Sequence, residues 1–250
     1  MKNKRFLILV LVVFIAFIGF EHIQHTYSLE LYMKSQDNKQ LEYIYQHHQQ
    51  YPEELINLAI KNEETIDFVK NYINYKENPT IPTNIGELSH EVPLLLQWDQ
   101  RWGYLAYGNN CIALTGCGPT CLSMVISYLT QDNTITPYTI ASYSLKHHYY
   151  LQGVGTKWEL MTKAASHFGV NARQLSLSKE NMIQELNLHH PLIASVRKGD
   201  FTDKGHFIVI SQYKNGQFKV NDPNSISKSN QLYDYERLEE QINNIWVYSL

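Results

Sequence analysis

The sequence predicts an α+β protein in which helices come first and an antiparallel sheet follows, on three observations. Residues 117–129 place Leu122, Val125, Ile126 and Leu129 at i, i+3, i+4 and i+7, the apolar stripe of a helix. Four short strand-like runs come later, at 191–196, 206–211, 217–220 and 245–248. Between two of these runs, Tyr213-Lys214-Asn215-Gly216-Gln217 is a hairpin signal, so the sheet is read as antiparallel. No internal repeat or low-complexity segment interrupts this order.

Taken in order, the first element is an export segment. Lys2, Lys4 and Arg5 precede an unbroken apolar run over 6–20, after which Glu21 and His22 restore polarity. The run is short for a spanning helix, which needs about 20 residues, and long for a signal-peptide core. No small-x-small cleavage site follows it. Residues 1–28 are therefore read as a signal anchor or a signal peptide, with the membrane as a partner. Positive charge stays inside, so the rest of the chain is expected outside the cell, or secreted if the segment is cleaved.

Residues 29–84 are read as a helical stalk or cap with a linker. Leu41, Tyr45, His48, Leu55, Leu58, Ala59, Ile66, Phe68 and Val69 recur at spacings near three and four. Pro52 followed by Glu53 and Glu54 marks a helix start, with acids near the positive end of the dipole. His47 and His48 are expected to be exposed helix residues. Proline, threonine and asparagine over 77–84 mark the linker. The third domain, 85–250, opens with a short apolar strand at 93–96 and an aromatic, polar loop at 97–103. It continues through the helix at 117–129, a second helix at 158–168, and the four strands.

Composition narrows the partners. A formal charge of −3 over 250 residues, with no basic stripe, excludes the phosphate neutralisation on which nucleic-acid binding depends. The three cysteines, 111, 117 and 121, are an odd number in an exported chain, which points to a free thiol. Their C-x5-C-x3-C spacing fits no common zinc finger and has no histidine close by, so neither a metal nor another cofactor is expected.

Cys117 carries the chemistry. It lies in Thr115-Gly116-Cys117-Gly118-Pro119-Thr120, at the amino terminus of the amphipathic helix. Unpaired N–H groups and partial positive charge there favour the thiolate, and glycine on both sides lets a substrate backbone approach. A small buried cysteine at a tight turn fits the hexapeptide equally well. Cys121, one turn on, reads as buried filler; Cys111 can pair with either neighbour.

A nucleophilic cysteine needs a base and an orienter for that base. The doublets His147-His148 and His189-His190 read as surface loops. His206 opens a buried strand directly after Gly205, where an ionisable ring requires a reason. Asp222 ends the next strand, and the hairpin register decides whether it meets His206. A two-residue Asn-Gly turn pairs 214 with 217 and sets Asp222 opposite Val209, on the wrong face. A three-residue loop pairs 213 with 217, sets Asp222 opposite Ile208 and brings it diagonal to His206. Asp222 before Pro223 also fits an Asx-turn. Gln97 offers a side-chain oxyanion donor beside the Cys117 N–H, with Gln100 a weaker candidate; Trp98 and Trp102 read as packing residues around the cleft.

These residues resemble the bacteriocin-processing, double-glycine-peptidase-like family of papain-like cysteine peptidases. The resemblance rests on Gln97-Trp98-Asp99, Gly116-Cys117-Gly118-Pro119-Thr120, Gly205-His206-Phe207 and Asn221-Asp222-Pro223, and extends to Gly155-Thr156-Lys157-Trp158 and Gly199-Asp200-Phe201-Thr202. It implies a papain-like fold, a nucleophile-bearing helix packed on an antiparallel sheet. It also implies Cys117 as nucleophile, His206 as base, Asp222 as orienter and Gln97 in the oxyanion hole. The interval from Gln97 to Cys117 is longer than in the best-known members, which are fused to transporters and cut leader peptides after paired glycines. The chain resembles instead the stand-alone, exported branch. The expected activity is thiol hydrolysis of amide bonds in a peptide, protein or cell-wall peptide. The alternatives are a peptidoglycan amidase or endopeptidase, and a non-catalytic binding module of the same fold.

Overall fold

The computed structural model describes residues 29–78 and 80–250; the expected anchor or signal segment, 1–28, lies outside them. Among the described residues no helix is long and apolar enough to cross a membrane. The chain divides into two compact units between Glu77 and Asn78.

The first unit is helical: α1 over 29–35, α2 (Lys39–Gln46), α3 (Glu53–Lys61), α4 (Ile66–Lys70) and α5 (Tyr72–Glu77). Asn38 starts α2, its side-chain oxygen accepting from the Gln40 and Leu41 N–H groups. Pro52 precedes α3, whose acids lie in the first turn and Lys61 in the last, as the dipole favours. Leu41, Ile44, Leu55, Ala59, Phe68 and Val69 form the buried face. The stripe of α2 thus runs through Ile44 rather than through Tyr45 and His48. The helix ends at His47 before a further turn can bring His48 inward, and His48 is exposed.

The second unit is built on a six-stranded antiparallel sheet in the order β5-β10-β6-β7-β8-β9. Its strands are β5 (Asn171–Gln174), β6 (Leu192–Val196), β7 (His206–Lys214), β8 (Gln217–Asn221), β9 (Leu232–Tyr233) and β10 (Ile242–Ser249). Two small hairpins, β1 (Ala106–Tyr107) with β2 (Asn110–Cys111) and β3 (Tyr150–Leu151) with β4 (Gly155–Thr156), stand apart from it. The helices are α6 (Ile112–Thr115), α7 (Cys117–Thr130), α8 (Pro137–Lys146), α9 (Glu159–His167), α10 (Lys179–Asn187), α11 (Ile226–Ser229) and α12 (Tyr235–Glu239).

Strand alternation gives the sheet two apolar faces. Ile193, Phe207, Val209, Trp246 and Tyr248 pack with α7, α8 and α9; Leu192, Ala194, Ile208, Ile210, Ile245 and Val247 pack with α10 and α12. Helix α7 lies along β7, its Leu122, Met124, Val125 and Ile126 fully buried. Each of these side chains contributes about 1.5–3 kcal/mol by leaving water, which holds the first turn of α7 in place.

The hairpin closes with the two-residue turn, and a bulge beyond it restores the register expected of the three-residue loop. Lys214 pairs with Gln217, and Asn215 and Gly216 have φ of 54° and 84°, so the turn has two residues of the type that needs positive φ. The ladder then shifts between Ile210 and Gln212, leaving Ser211 as an extra residue in β7. Val209 consequently pairs with Asn221, and the next position, Asp222, falls opposite Ile208. The bulge, rather than an odd-length loop, supplies the register that brings Asp222 toward His206.

The expected strand at 93–96 does not form. The segment is extended but joins no ladder: the Asn221 side-chain amide donates to the Val92 and Pro93 carbonyls, and the Gln97 N–H donates to the Pro223 carbonyl. Two side-chain bonds and one main-chain bond replace the ladder there.

Candidate active site

Cys117 is the first residue of α7. Helix α6 stops at Gly116, whose N–H donates to the Ile112 carbonyl at 2.8 Å; a Cβ at 116 would lie 2.5 Å from that oxygen. Only glycine lets the chain turn so tightly out of one helix into the next. Pro119 sits in the first turn, where its missing N–H costs nothing. Gly118 packs directly on Thr156, whose Oγ1 would lie 2.7 Å from an added Cβ. The sulfur is therefore half-buried at the positive end of a fourteen-residue helix.

The first residue of β7 supplies the imidazole. His206 Nε2 meets Asp222 Oδ1 at 2.7 Å, with the histidine side chain 8 % exposed and the aspartate fully buried. The same ring acts on Cys117, each favouring the charged form of the other. Since Nε2 is spent on Asp222, Nδ1 faces the sulfur. Asp222 is fixed in turn: its Oδ1 also accepts from the Asn224 N–H, and its own N–H donates to Ser229 Oγ at 2.8 Å.

The electrostatics favour a preformed ion pair. Burial acts on Cys117 by raising its pKa. The hydrogen bond and positive charge of His206, with the N–H groups of Phe207 and Gly118, outweigh burial and hold the thiol below its ordinary 9.0. Burial also acts against the charged form of His206, yet the charge of Asp222, its hydrogen bond and Cys117 push the ring from 6.5 up to about 10. The proton thus belongs on the imidazole and the negative charge on sulfur. Tyr107, which bonds Ser144 and Thr156 nearby, is pushed up to about 12 by burial and stays protonated, so it is no competing base.

Gln97 is buried between the segments that carry Cys117 and Asp222. Its N–H donates to Pro223 at 2.7 Å, and its Nε2 donates to the Ala113 carbonyl at 2.6 Å. One Nε2 hydrogen is committed to Ala113, which leaves one further N–H donor on the side chain. Gln100 is exposed. Trp102 is fully buried, as a packing residue should be, whereas half-buried Trp98 also donates its Nε1–H to the Asn224 carbonyl at 3.0 Å.

No disulfide joins Cys111, Cys117 and Cys121. Cys121 is buried, and burial raises its pKa well above the ordinary value. His147, His148 and His189 are exposed. His190 is not simply a surface loop residue: half-buried, its Nδ1 meets Glu185 at 2.8 Å, and Glu185 also binds Arg173. Among the described residues no group of three His, Cys, Asp or Glu can hold a metal ion.

Two supports of the site escaped the sequence reading. Asn221 and Ser229 carry no chemistry by residue type. Their signal was faint: an amide beside Asp-Pro, and a hydroxyl seven residues beyond the acid, meaningful only once the chain from 222 to 229 folds back.

Residues 89–249 match the model of the Peptidase_C39 like family. Among solved structures, the chain is similar to the peptidase domain of Streptococcus ComA, a bifunctional ABC transporter involved in a quorum-sensing pathway. That likeness has 21% identity over 53% of this chain and 89% of that one, with a TM-score of 0.43. A protein described as a C39-like peptidase from Bacillus anthracis is 14% identical over 66% of this chain and 97% of its own, with a TM-score of 0.42. A double-glycine-motif protease from an AMS/PCAT transporter, in complex with its leader peptide, is 14% identical over 68% and 97%, with a TM-score of 0.32. No curated protein matches the chain.

Proposed function

The chain belongs to the Peptidase_C39 like family, and from that premise we propose that it is a cysteine peptidase acting through Cys117, His206 and Asp222. The observation that carries the reading is one ring with two partners. The His206 imidazole bonds a buried carboxylate through Nε2 at 2.7 Å, and it and a helix-terminal thiol favour each other's charged form.

The reaction follows from that geometry. The Cys117 thiolate attacks the carbonyl carbon of an amide. The oxyanion accepts hydrogen bonds from the Cys117 N–H and the second Nε2 hydrogen of Gln97. As the tetrahedral intermediate collapses, the Nδ1 proton of His206 passes to the leaving nitrogen and the C–N bond breaks, leaving a thioester on Cys117. Water then gives a proton to His206 and attacks the thioester; the acid departs and the thiolate–imidazolium pair is restored. Asp222 keeps the ring oriented and charged through both halves and never needs the proton itself.

The substrate is proposed to be a peptide or protein, met outside the cell, with residues 1–28 as the anchor or signal segment and 29–84 as stalk and linker. The depressed Cys117 pKa disfavours a non-catalytic module, which has no need of a thiolate. An iodoacetamide probe at mildly acidic pH tests the reading. Cys117 is expected to be modified well ahead of free cysteine, with loss of that advantage in His206→Ala. Labelling of the unsubstituted chain no faster than free cysteine refutes the peptidase.

A further inference from the structure

A groove of about 700 Å³ opens between the β3–β4 hairpin, the start of α9 and β10, within the range of about 300–1,000 Å³ usual for ligand clefts. Two of its lining residues reach the residues that follow Cys117 and His206. Thr156, in its wall, packs on Gly118, the residue after Cys117. Trp246, in its floor, lies 6.4 Å from the ring of Phe207, the residue after His206. Trp158 stands edge-on to Trp246 at 5.7 Å between ring centres and leaves nearly half its surface open.

The other wall is the tip of the β3–β4 hairpin, which presents Leu151 and Val154 at 42 % and 78 % exposure. Gly153 and Gly155, both at positive φ, turn the chain on either side of Val154 and hold it outward. Apolar side chains scattered singly over a surface need no explanation; three gathered round one cleft do. The groove's charged residues, Lys157 and Glu159, are of opposite sign, so it selects no charge in an occupant.

Resting on the peptidase reading, we propose that this groove binds a bulky apolar side chain of the peptide substrate, with Trp158 and Val154 as its specificity-determining residues. An extended peptide advances about 3.3 Å per residue, so the side chain belongs to a residue within a few positions of the bond that is cut. A run of glycines there leaves the groove unfilled.

Binding is measured on the full chain carrying Cys117→Ala, by fluorescence anisotropy of dye-labelled octapeptides. Each is a glycine and serine background in which one leucine or phenylalanine is walked along the chain. At one position the apolar residue is expected to tighten binding by about tenfold or more, roughly 1.4 kcal/mol. Trp158→Ala in the same chain is expected to remove most of that gain. Val154→Ser, at a side chain too exposed to support folding, should remove part of it. Equal binding of all peptides, absence of binding up to millimolar peptide, or a gain that survives both substitutions overturns the groove. The peptidase reading is decided separately, by thiol labelling of the unsubstituted chain.

Discussion

Replacing Asp222 by asparagine keeps the size of a fully buried side chain and removes its charge. Asp222 is the foremost group lifting His206 from 6.5 to about 10, which is between three and four powers of ten in proton affinity. In the parent chain, rising pH takes the thiol proton first, because Cys117 lies below 9.0, and the ring keeps its proton to about 10. The thiolate–imidazolium pair fills the window between. Without the carboxylate the ring gives up its proton first, and the thiol keeps its own until nearer its ordinary value. The ratio of ion pair to neutral pair falls by as much as the lost proton affinity. Labelling of Cys117 near pH 7 should therefore drop by about tenfold to a hundredfold, and its midpoint should climb toward 9. The assay is the iodoacetamide rate at Cys117 from pH 4 to 10, read by peptide mapping to separate it from Cys111, with circular dichroism to show that the variant folds. A folded variant whose midpoint stays within about half a pH unit of the parent's refutes the argument that Asp222 sustains the ion pair.

Two further outcomes follow from the same geometry. Gln97→Ala should lower kcat on a cleaved peptide by about a hundredfold to a thousandfold while leaving the labelling rate of Cys117 within a few fold, because oxyanion stabilisation is needed for turnover and not for alkylation. Equal losses in both rates would mean that Gln97 only supports the fold. Deleting Ser211 removes the extra residue of the bulge and leaves five residues, 209, 210 and 212–214, facing the five of β8 across the same turn. Ile208 then remains opposite Asp222, so low-pH labelling of Cys117 should survive the deletion; its loss in a folded protein contradicts the register argument.

Much of this arrangement was legible in the chain because it obeys one period at a time. Helix α7 declares itself through Leu122, Val125, Ile126 and Leu129, and its amino terminus through Gly116 and Pro119; the observed span extends the expected one by a single residue. Strands β6, β7 and β10 carry nearly continuous apolar runs because both of their faces are covered, whereas β8, Gln-Phe-Lys-Val-Asn, alternates. Edge strand β5, by contrast, is Asn-Ala-Arg-Gln and mostly exposed, so neither alternation nor β-propensity marks it. Helix α8 begins with a box between Thr136 and Thr139 ahead of an unremarkable apolar pattern, and went unread for want of the usual acid at the third position. The bulge at Ser211 has no residue signal at all. It arises because the turn prefers Asn-Gly while the far ends of β7 and β8 are pinned by packing and by Asn221, and the surplus residue must go somewhere.

The bonds from Trp98 to Asn224 and from Asn221 back to Val92 and Pro93 join positions 126 to 129 residues apart. Closures of that length come late in folding, after local helices have formed, because the entropy of so large a loop must be met before the contacts that reward it exist. Gln97, Asp222 and the imidazole therefore share one place only when nearly the whole second unit has left the ribosome and condensed. A half-made polypeptide holds the Cys117 thiol without His206, Asp222 and Gln97 beside it.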